Sequence, residues 1–385
     1  MPDIFQVLLS WTRPRFRKSM LRVLIVSGSY PPMRCGVGDY AASLANALDR
    51  YGKVKIGVLG AGDEISSSGG IEIIRGPGWR LSSVFKMLWA VAKWKPDVVH
   101  MQFPTQGYGG YLLPWFLPLL LRVAGFRVVQ TWHEFFPMGG HRRSIIPCIA
   151  CDTAIVVRPE FMKSISTWYR LLLRGKKVAF IPNASVIPQS QLAPEQCMST
   201  RDDLRRDQER VVTYFGFANP NKGVELIFRI ADPNRDRIVL LCDLTMANPY
   251  HREILELCKS PDWDDKVTVT GFLPSEQVAD ILAVSDAIVL PFPGGGGLWN
   301  SSLSAALEQG TLVITTSESR EGYDSDSNIF YANPGDVASM ASALGVYGGR
   351  KVNRPNGEDA AWSRIADAHL RLYGELLAQR KGESE

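Results

Sequence analysis

The chain has 385 residues, 45% of them hydrophobic and 21% charged, with a formal net charge of +4. That length and composition fit two globular domains, and a balance so close to neutrality excludes the strongly basic footprint of a nucleic-acid binder. Six cysteines are scattered at 35, 148, 151, 197, 242 and 258, and the lone CxxC of Cys148 and Cys151 has no second CxxC or His-x3–5-His pair to complete a zinc set. This argues against a zinc site and for reduced thiols in a cytoplasmic protein.

Residues 1–20 read as an extension. Ile4, Phe5, Val7, Leu8, Leu9 and Trp11 precede Arg13, Arg15, Arg17 and Lys18. This suits either a short interfacial helix or an upstream extension with no role. Residues 4–11 are too short for a secretory core with its flanks. The most apolar stretch, 111–124, is shorter than a bilayer span and holds Pro114, Pro118 and Arg122, so no segment is expected to cross a membrane. Peripheral contact at the inner face of the plasma membrane stays open.

From residue 21 strand and helix patterns alternate. Strands are expected at 22–27, 55–59, 71–75, 97–101, 127–131, 153–157 and 178–181, with helices at 38–50, 82–94 and 112–124 between them. The strands are apolar throughout, which implies a parallel sheet covered on both faces. The pattern lapses at 186–206, read as a linker. A second series follows, with strands at 211–215, 237–242, 266–270, 287–290, 311–315 and 328–331. Helices are expected at 223–230, 248–258, 275–284, 303–309 and 337–347, and a last one fills 361–379. The reading is therefore α/β: an extension 1–20, a Rossmann-like domain 21–185, a linker 186–206, a second Rossmann-like domain 207–360 and a final helix within 361–385. Ligands of such doubly wound sheets bind outside the carboxyl ends of the strands, which places the expected site in a cleft between the halves.

The stretch from Pro291 to Gly310, PFPGGGGLWNSSLSAALEQG, carries the strongest chemical signal. A strand feeds four glycines and then a helix whose start offers Asn300, Ser301 and Ser302 as caps. Glycines let a backbone approach a phosphate, and first-turn amides point at it. The spacing matches neither a Walker A loop nor GxGxxG, and an ordinary flexible loop before a helix explains the residue pattern equally well.

Several segments in order, SGSYPPMRCGVGDYAASLANAL, PDVVHMQFPTQGYGG, VVQTWHEF, YFGFANPNKGVELI, VTVTGFLPSEQVADILAVSDAIVLPF and LEQGTLVITT, together resemble the family 4 glycosyltransferases. The resemblance runs from about Leu21 to the end. It implies the GT-B fold, with two Rossmann-like domains facing a cleft and a final helix crossing back to the first. It also implies a retaining hexosyltransferase-type enzyme (EC 2.4), independent of metal. No cofactor is expected; a nucleotide-diphosphate sugar, UDP- or GDP-linked, serves as co-substrate. The acceptor is a glycan, a lipid-linked glycan or a small molecule, as in polysaccharide biosynthesis, and the oligomeric state is open.

On the same resemblance, Gly36 and Gly38 open a helix toward the diphosphate and Lys222 supplies a point charge to it. Gly216, Phe272, Leu273, Gly296, Gly297, Leu298, Asn300, Ser301 and Ser302 complete the donor site. His133 lies near the reacting carbon and shares the catalytic role with Lys222. Gln102, Thr105, Tyr108 and Glu134 shape the acceptor side. By residue pattern alone, a packed histidine and a solvent-exposed lysine are the plain readings of His133 and Lys222. His100, inside an apolar strand, reads as a packing residue, and Asn183 as a hinge residue.

Two departures stand out. Many family members carry two glutamates eight positions apart in the donor loop; the matching positions here are Gly297 and Ala305. Many also have an arginine where this chain has Phe217. These losses keep open a GT-B-shaped, non-catalytic binding or partner subunit of a glycan-assembly complex. Another reaction on this fold, sugar-nucleotide epimerisation, would need acidic residues that the sequence does not place.

Overall fold

The computed structural model describes residues 20–60, 69–134, 145–159, 161–297, 299–353 and 358–382, with backbone alone at 358–360 and 380–382. Residues 1–19 of the extension and Leu298 lie outside the described residues. The chain divides into two compact units, Met1–Pro182 with Ala361–Glu385, and Asn183–Ala360.

The first unit is built on β1 (Leu21–Val26), β2 (Val54–Gly60), β3 (Glu72–Arg75), β4 (Val98–Phe103), β5 (Val128–Trp132), β6 (Thr153–Val156) and β7 (Lys177–Phe180). The sheet order is β3-β2-β1-β4-β5-β6-β7, every pair parallel. Its central strands are buried along their whole length, as the unbroken apolar runs require. The helices are α1 (Gly36–Asp49), α2 (Val84–Trp94), α3 (Leu113–Val123), α4 (Ile145–Ala150), α5 (Phe161–Ser164) and α6 (Thr167–Leu172).

The second unit contains α7 (Pro194–Arg205), β8 (Arg210–Phe215), α8 (Ile227–Ile230), β9 (Asp236–Leu241), α9 (Pro249–Cys258), β10 (Val267–Val269) and α10 (Ser275–Val284). It continues with β11 (Ala287–Leu290), α11 (Ser301–Glu308), β12 (Val313–Thr316), β13 (Gly322–Asp324), β14 (Ile329–Ala332) and α12 (Val337–Tyr347). Its order is β10-β9-β8-β11-β12-β14-β13, parallel except for β13 against β14. Both sheets have the Rossmann crossover, with switch points between β1 and β4 and between β8 and β11. The fold is thus the two-domain α/β architecture of GT-B proteins.

The last helix, α13 (Glu358–Gly382), packs on the first unit. Trp362, Ile365, Leu372, Tyr373 and Leu376 are buried, and Tyr51 Oη donates to the Ser363 carbonyl at 3.1 Å. Among the described residues no helix is long and apolar enough to cross a membrane.

Three differences from the sequence reading have local causes. The stretch 186–206, read as a linker, holds α7, which packs on α10. That helix is polar on nearly every side and buries no residue fully, so it leaves no apolar stripe to read. β13 was not expected because three residues, Gly-Tyr-Asp, give no strand period. β4 runs to Phe103, two residues further than expected, which moves Gln102 from the following loop into the sheet.

Candidate functional site

In the second unit the switch point gathers Gly216, Lys222, the glycine loop and the start of α11. Gly216, just past β8, has φ +139, and its Cα side faces Ser302, whose Cβ would lie 3.7 Å from an added methyl group. Lys222 ends a 3-10 turn, Pro220–Lys222, and Gly223 then takes φ +66 with its Cα against the Pro291 carbonyl. Any Cβ there would sit 2.5 Å from that oxygen, so only glycine lets the turn lean on the start of the glycine loop. Lys222 Nζ accordingly lies 4.9 Å from the centroid of the Phe292 ring, the residue that leads into that loop. The turn is also held from α9. His251 Nε2 donates to the Ala218 carbonyl at 2.9 Å, a tautomer fixed by the Thr245 amide donating to Nδ1 at 3.1 Å. Tyr250 Oη accepts from the Val224 amide at 3.0 Å and bonds Glu225.

The glycine loop differs from the expected anion cradle. The Gly295, Gly296 and Gly297 amides donate to the Phe292 carbonyl, the Thr316 carbonyl and Asn300 Oδ1, and the Asn300 amide donates to the Gly297 carbonyl. Three of those donors are spent on the loop itself and the Gly296 amide on the end of β12, so Gly296, Gly297 and Asn300 shape the site rather than offering backbone donors. Asn300 is the N-cap residue of α11, yet its side chain caps the loop and not the helix. The first-turn amides of Ser301, Ser302 and Leu303 therefore receive no side-chain cap from Asn300. Ser301 is exposed and Ser302 nearly buried beside Gly216. Leu298 lies outside the described residues. Phe272 and Leu273 follow β10; Phe272 is exposed, while Leu273 packs partly on the core. Ala305, where a glutamate was looked for, is fully buried, so α11 turns a packed methyl group toward the core at that register.

In the first unit the sheet's end holds a hydrogen-bonded file of side chains. Strand alternation puts His100 and Gln102 on one face of β4, next to Thr131 on β5. His133 Nε2 and Gln102 Oε1 are 2.9 Å apart, Gln102 Nε2 and His100 Nε2 3.3 Å, His100 Nε2 and Thr131 Oγ1 2.7 Å, and His100 Nδ1 and Tyr373 Oη 2.7 Å. With Gln102 Nε2 donating, His100 Nε2 is an acceptor, and its Nδ1–H donates to Tyr373 on α13. Gln102 Oε1 then accepts from His133 Nε2–H, leaving His133 Nδ1 as the lone-pair nitrogen. Tyr40 packs edge-on to the His133 ring at 4.6 Å. Burial, then the nearby His369, lowers the His133 pKa to about 3, although part of the residue stays accessible. The consequence that matters is its direction: the ring is neutral at neutral pH. His100 is pushed well down, first by burial and then by His369, and His369 to about 4 by burial.

The other expected residues of this unit separate. Gly36 is exposed at the start of α1, whose N-cap residue, Cys35, makes no side-chain cap, while Gly38 is buried against Ser29. Gln102 is fully buried, so it positions His133 and cannot line an open acceptor pocket. Tyr108, expected on the acceptor side, is a core residue: its ring packs on Trp79 and Phe103 and its hydroxyl donates to the Val26 carbonyl at 3.3 Å. Thr105 is buried against Gly28 with no partner for its hydroxyl. Glu134 is exposed and its charge acts on Arg158. His100, expected to pack, also carries the hydrogen-bond file. Asn183 donates to the Trp299 carbonyl at 2.9 Å within the second unit.

Two groups escaped the sequence reading. Asp39, in the first turn of α1, has its pKa raised by burial to about 6. A carboxylate titrating that high next to Tyr40 is a candidate proton-carrying group, and only its position three residues past Gly36 could have signalled it. Tyr373 is 273 residues from its partner His100, beyond any local signal. Cys148 and Cys151 are buried thiols whose pKa values burial pushes up to about 12 and about 11, which makes them packing residues.

These two halves define a class by their fold: paired Rossmann-like domains with ligand-competent switch points, as in GT-B glycosyltransferases. Residues 209–346 match the family model described as Glycosyl transferases group 1, covering most of the second unit. No curated protein sequence matches the chain significantly. Among solved structures, a sucrose-phosphate synthase from Thermosynechococcus elongatus superposes with a TM-score of 0.71 at 17% identity, over 93% of this chain and 100% of that one. The catalytic domain of starch synthase IV from Arabidopsis thaliana, bound to ADP and acarbose, gives 0.64 at 14%, over 94% and 99%. HepE from Anabaena, in complex with UDP and glucose, gives 0.61 at 13%, over 94% and 99%.

Proposed function

We propose that this chain is a retaining glycosyltransferase that moves a hexose from a nucleotide-diphosphate sugar to a glycan, lipid-linked or small-molecule acceptor. The carrying observation is that Gly223 seats Lys222 beside the glycine loop, in a unit that matches a glycosyltransferase family model. In the reaction the bond between the anomeric carbon and the diphosphate oxygen breaks and the acceptor oxygen bonds that carbon on the same face. The acceptor proton passes to the departing phosphate. Negative charge grows on the leaving group and positive charge on the sugar. Lys222, the α11 first-turn amides and the Ser302 hydroxyl meet the first of these, without a metal ion in this proposal. His133, neutral and with Nε2–H committed to Gln102, offers Nδ1 to a sugar hydroxyl. The relatives bound to UDP or ADP support a nucleotide diphosphate as the leaving group.

A second reading has an observation of its own. Four loop amides are taken up by the loop's own acceptors or by the Thr316 carbonyl, and the two expected acidic positions are Gly297 and buried Ala305. That favours a non-catalytic GT-B subunit of a glycan-assembly complex. A screen of UDP- and GDP-hexoses for donor hydrolysis separates the two. Turnover that Lys222→Ala and His133→Ala each abolish supports the enzyme; nucleotide binding without turnover under any donor supports the subunit.

A further inference from the structure

One face of the first unit leaves large apolar side chains in water. Phe85 and Trp89 of α2, four residues apart, are 72% and 59% exposed, and Trp168 of α6 is 58% exposed. Val123 of α3 and Leu171 of α6 extend the patch. These helices share a side of the sheet. They belong to the crossovers β3–β4, β4–β5 and β6–β7, which all run in one direction across the sheet order, and right-handed crossovers then fall on one face. Contacts from α2 to α3, α3 to α4 and α4 to α6 join them into one surface.

The charge of the same region is lopsided. Between residues 73 and 194 there are fifteen Lys and Arg against four Asp and Glu, while the rest of the chain has 28 against 35. None of α2 to α6 contains a carboxylate side chain. Lys86 and Lys93 flank the α2 aromatics, Lys93 Nζ lying 4.9 Å from the Trp89 ring centroid, and Lys163, Arg170 and Arg174 flank those of α6. Exposed rings spread over the joined helices of one face mark an interaction surface. Tryptophan interleaved with lysine and arginine matches the interface between anionic headgroups and acyl chains. We propose that this face docks on a membrane rich in anionic phospholipid, through Phe85, Trp89 and Trp168 inserted among headgroups and the surrounding cations on phosphates. The contact depends neither on residues 1–19 nor on catalysis.

The test is co-sedimentation of the full-length protein with vesicles of phosphatidylcholine alone or with phosphatidylglycerol added, at low and high salt. Binding should require phosphatidylglycerol and fall with salt. A Phe85→Ser, Trp89→Ser, Trp168→Ser variant should bind at least about tenfold more weakly, and Lys86→Glu with Arg170→Glu should weaken binding further. All five side chains are exposed, so melting temperature should not move. Nucleotide-diphosphate binding, measured on the same samples, should not change either, so this proposal and the enzymatic one fail separately. Indifference to phosphatidylglycerol vesicles at low salt overturns the proposal. So does a triple variant that binds like the wild type, an outcome that would place the contact elsewhere in the chain.

Discussion

Acid should loosen the first unit well before the second. His100 and His369 are fully buried, 5.4 Å apart, and among the described residues no carboxylate bonds either ring. Both have folded pKa values below the unfolded value, so the unfolded chain takes up protons first. Their contribution is fully present above about pH 6.5 and is lost as pH falls toward their folded values. Each costs about 1.4 kcal/mol per pH unit in that window, and His133, lowered to about 3 in the same file, costs a similar amount, so the three cost about 4 kcal/mol at pH 5.5. Asp39 has the opposite sign, because its folded pKa is raised to about 6 and acid therefore favours its folded form. It is partly accessible and offsets less than about 1 kcal/mol by pH 5.5. The histidines win, with a net loss of about 3 kcal/mol. Hydrogen exchange read by mass spectrometry, corrected for intrinsic rates, would follow β4 and α13 against β8 and β11 at pH 7.5 and 5.5. The opening energy should fall in the first pair, and His369→Gln should remove about half of the fall. Equal losses in both units, or none in β4 and α13, would refute the reasoning.

Two further outcomes follow from single contacts. Gln102→Glu puts a carboxylate where an amide oxygen now lies 2.9 Å from His133 Nε2. The His133 pKa should rise by at least about one unit in an NMR titration, because an opposite charge at that distance favours the imidazolium; an unmoved titration would break the file. Gly223→Ala should cost at least about 2 kcal/mol, since φ +66 and the Pro291 carbonyl both oppose a methyl group. It should weaken diphosphate binding as well, and urea midpoints with nucleotide titrations of the folded fraction would check both effects.

Much of the fold was legible because parallel strands covered on both faces announce themselves as unbroken apolar runs, such as 23–26 and 287–290. The polar α7 and the three-residue β13 carry no such period and were missed. Gly223, whose φ and close approach to the Pro291 carbonyl demand glycine, was not singled out in the sequence, although it directly follows Lys222. Site residues were not legible where long-range packing decides. Tyr108 reads as an accessible loop residue, but a turn folds its ring onto Trp79. Gln102 reads the same way until β4 extends by two residues. Asn300 reads as a helix cap, and its choice of the Gly297 amide depends on a loop geometry that four glycines leave unspecified.

The central claim is that the second unit grips a nucleotide diphosphate through Lys222 and the start of α11. Calorimetric titration of the full-length protein with UDP, GDP, ADP and dTDP, each against its monophosphate, tests it most directly. One diphosphate should bind at least about tenfold more tightly than its monophosphate, and Lys222→Ala should erase that difference with its melting temperature unchanged. Failure of all four to bind, or a folded Lys222→Ala protein with unchanged diphosphate affinity, would contradict the account.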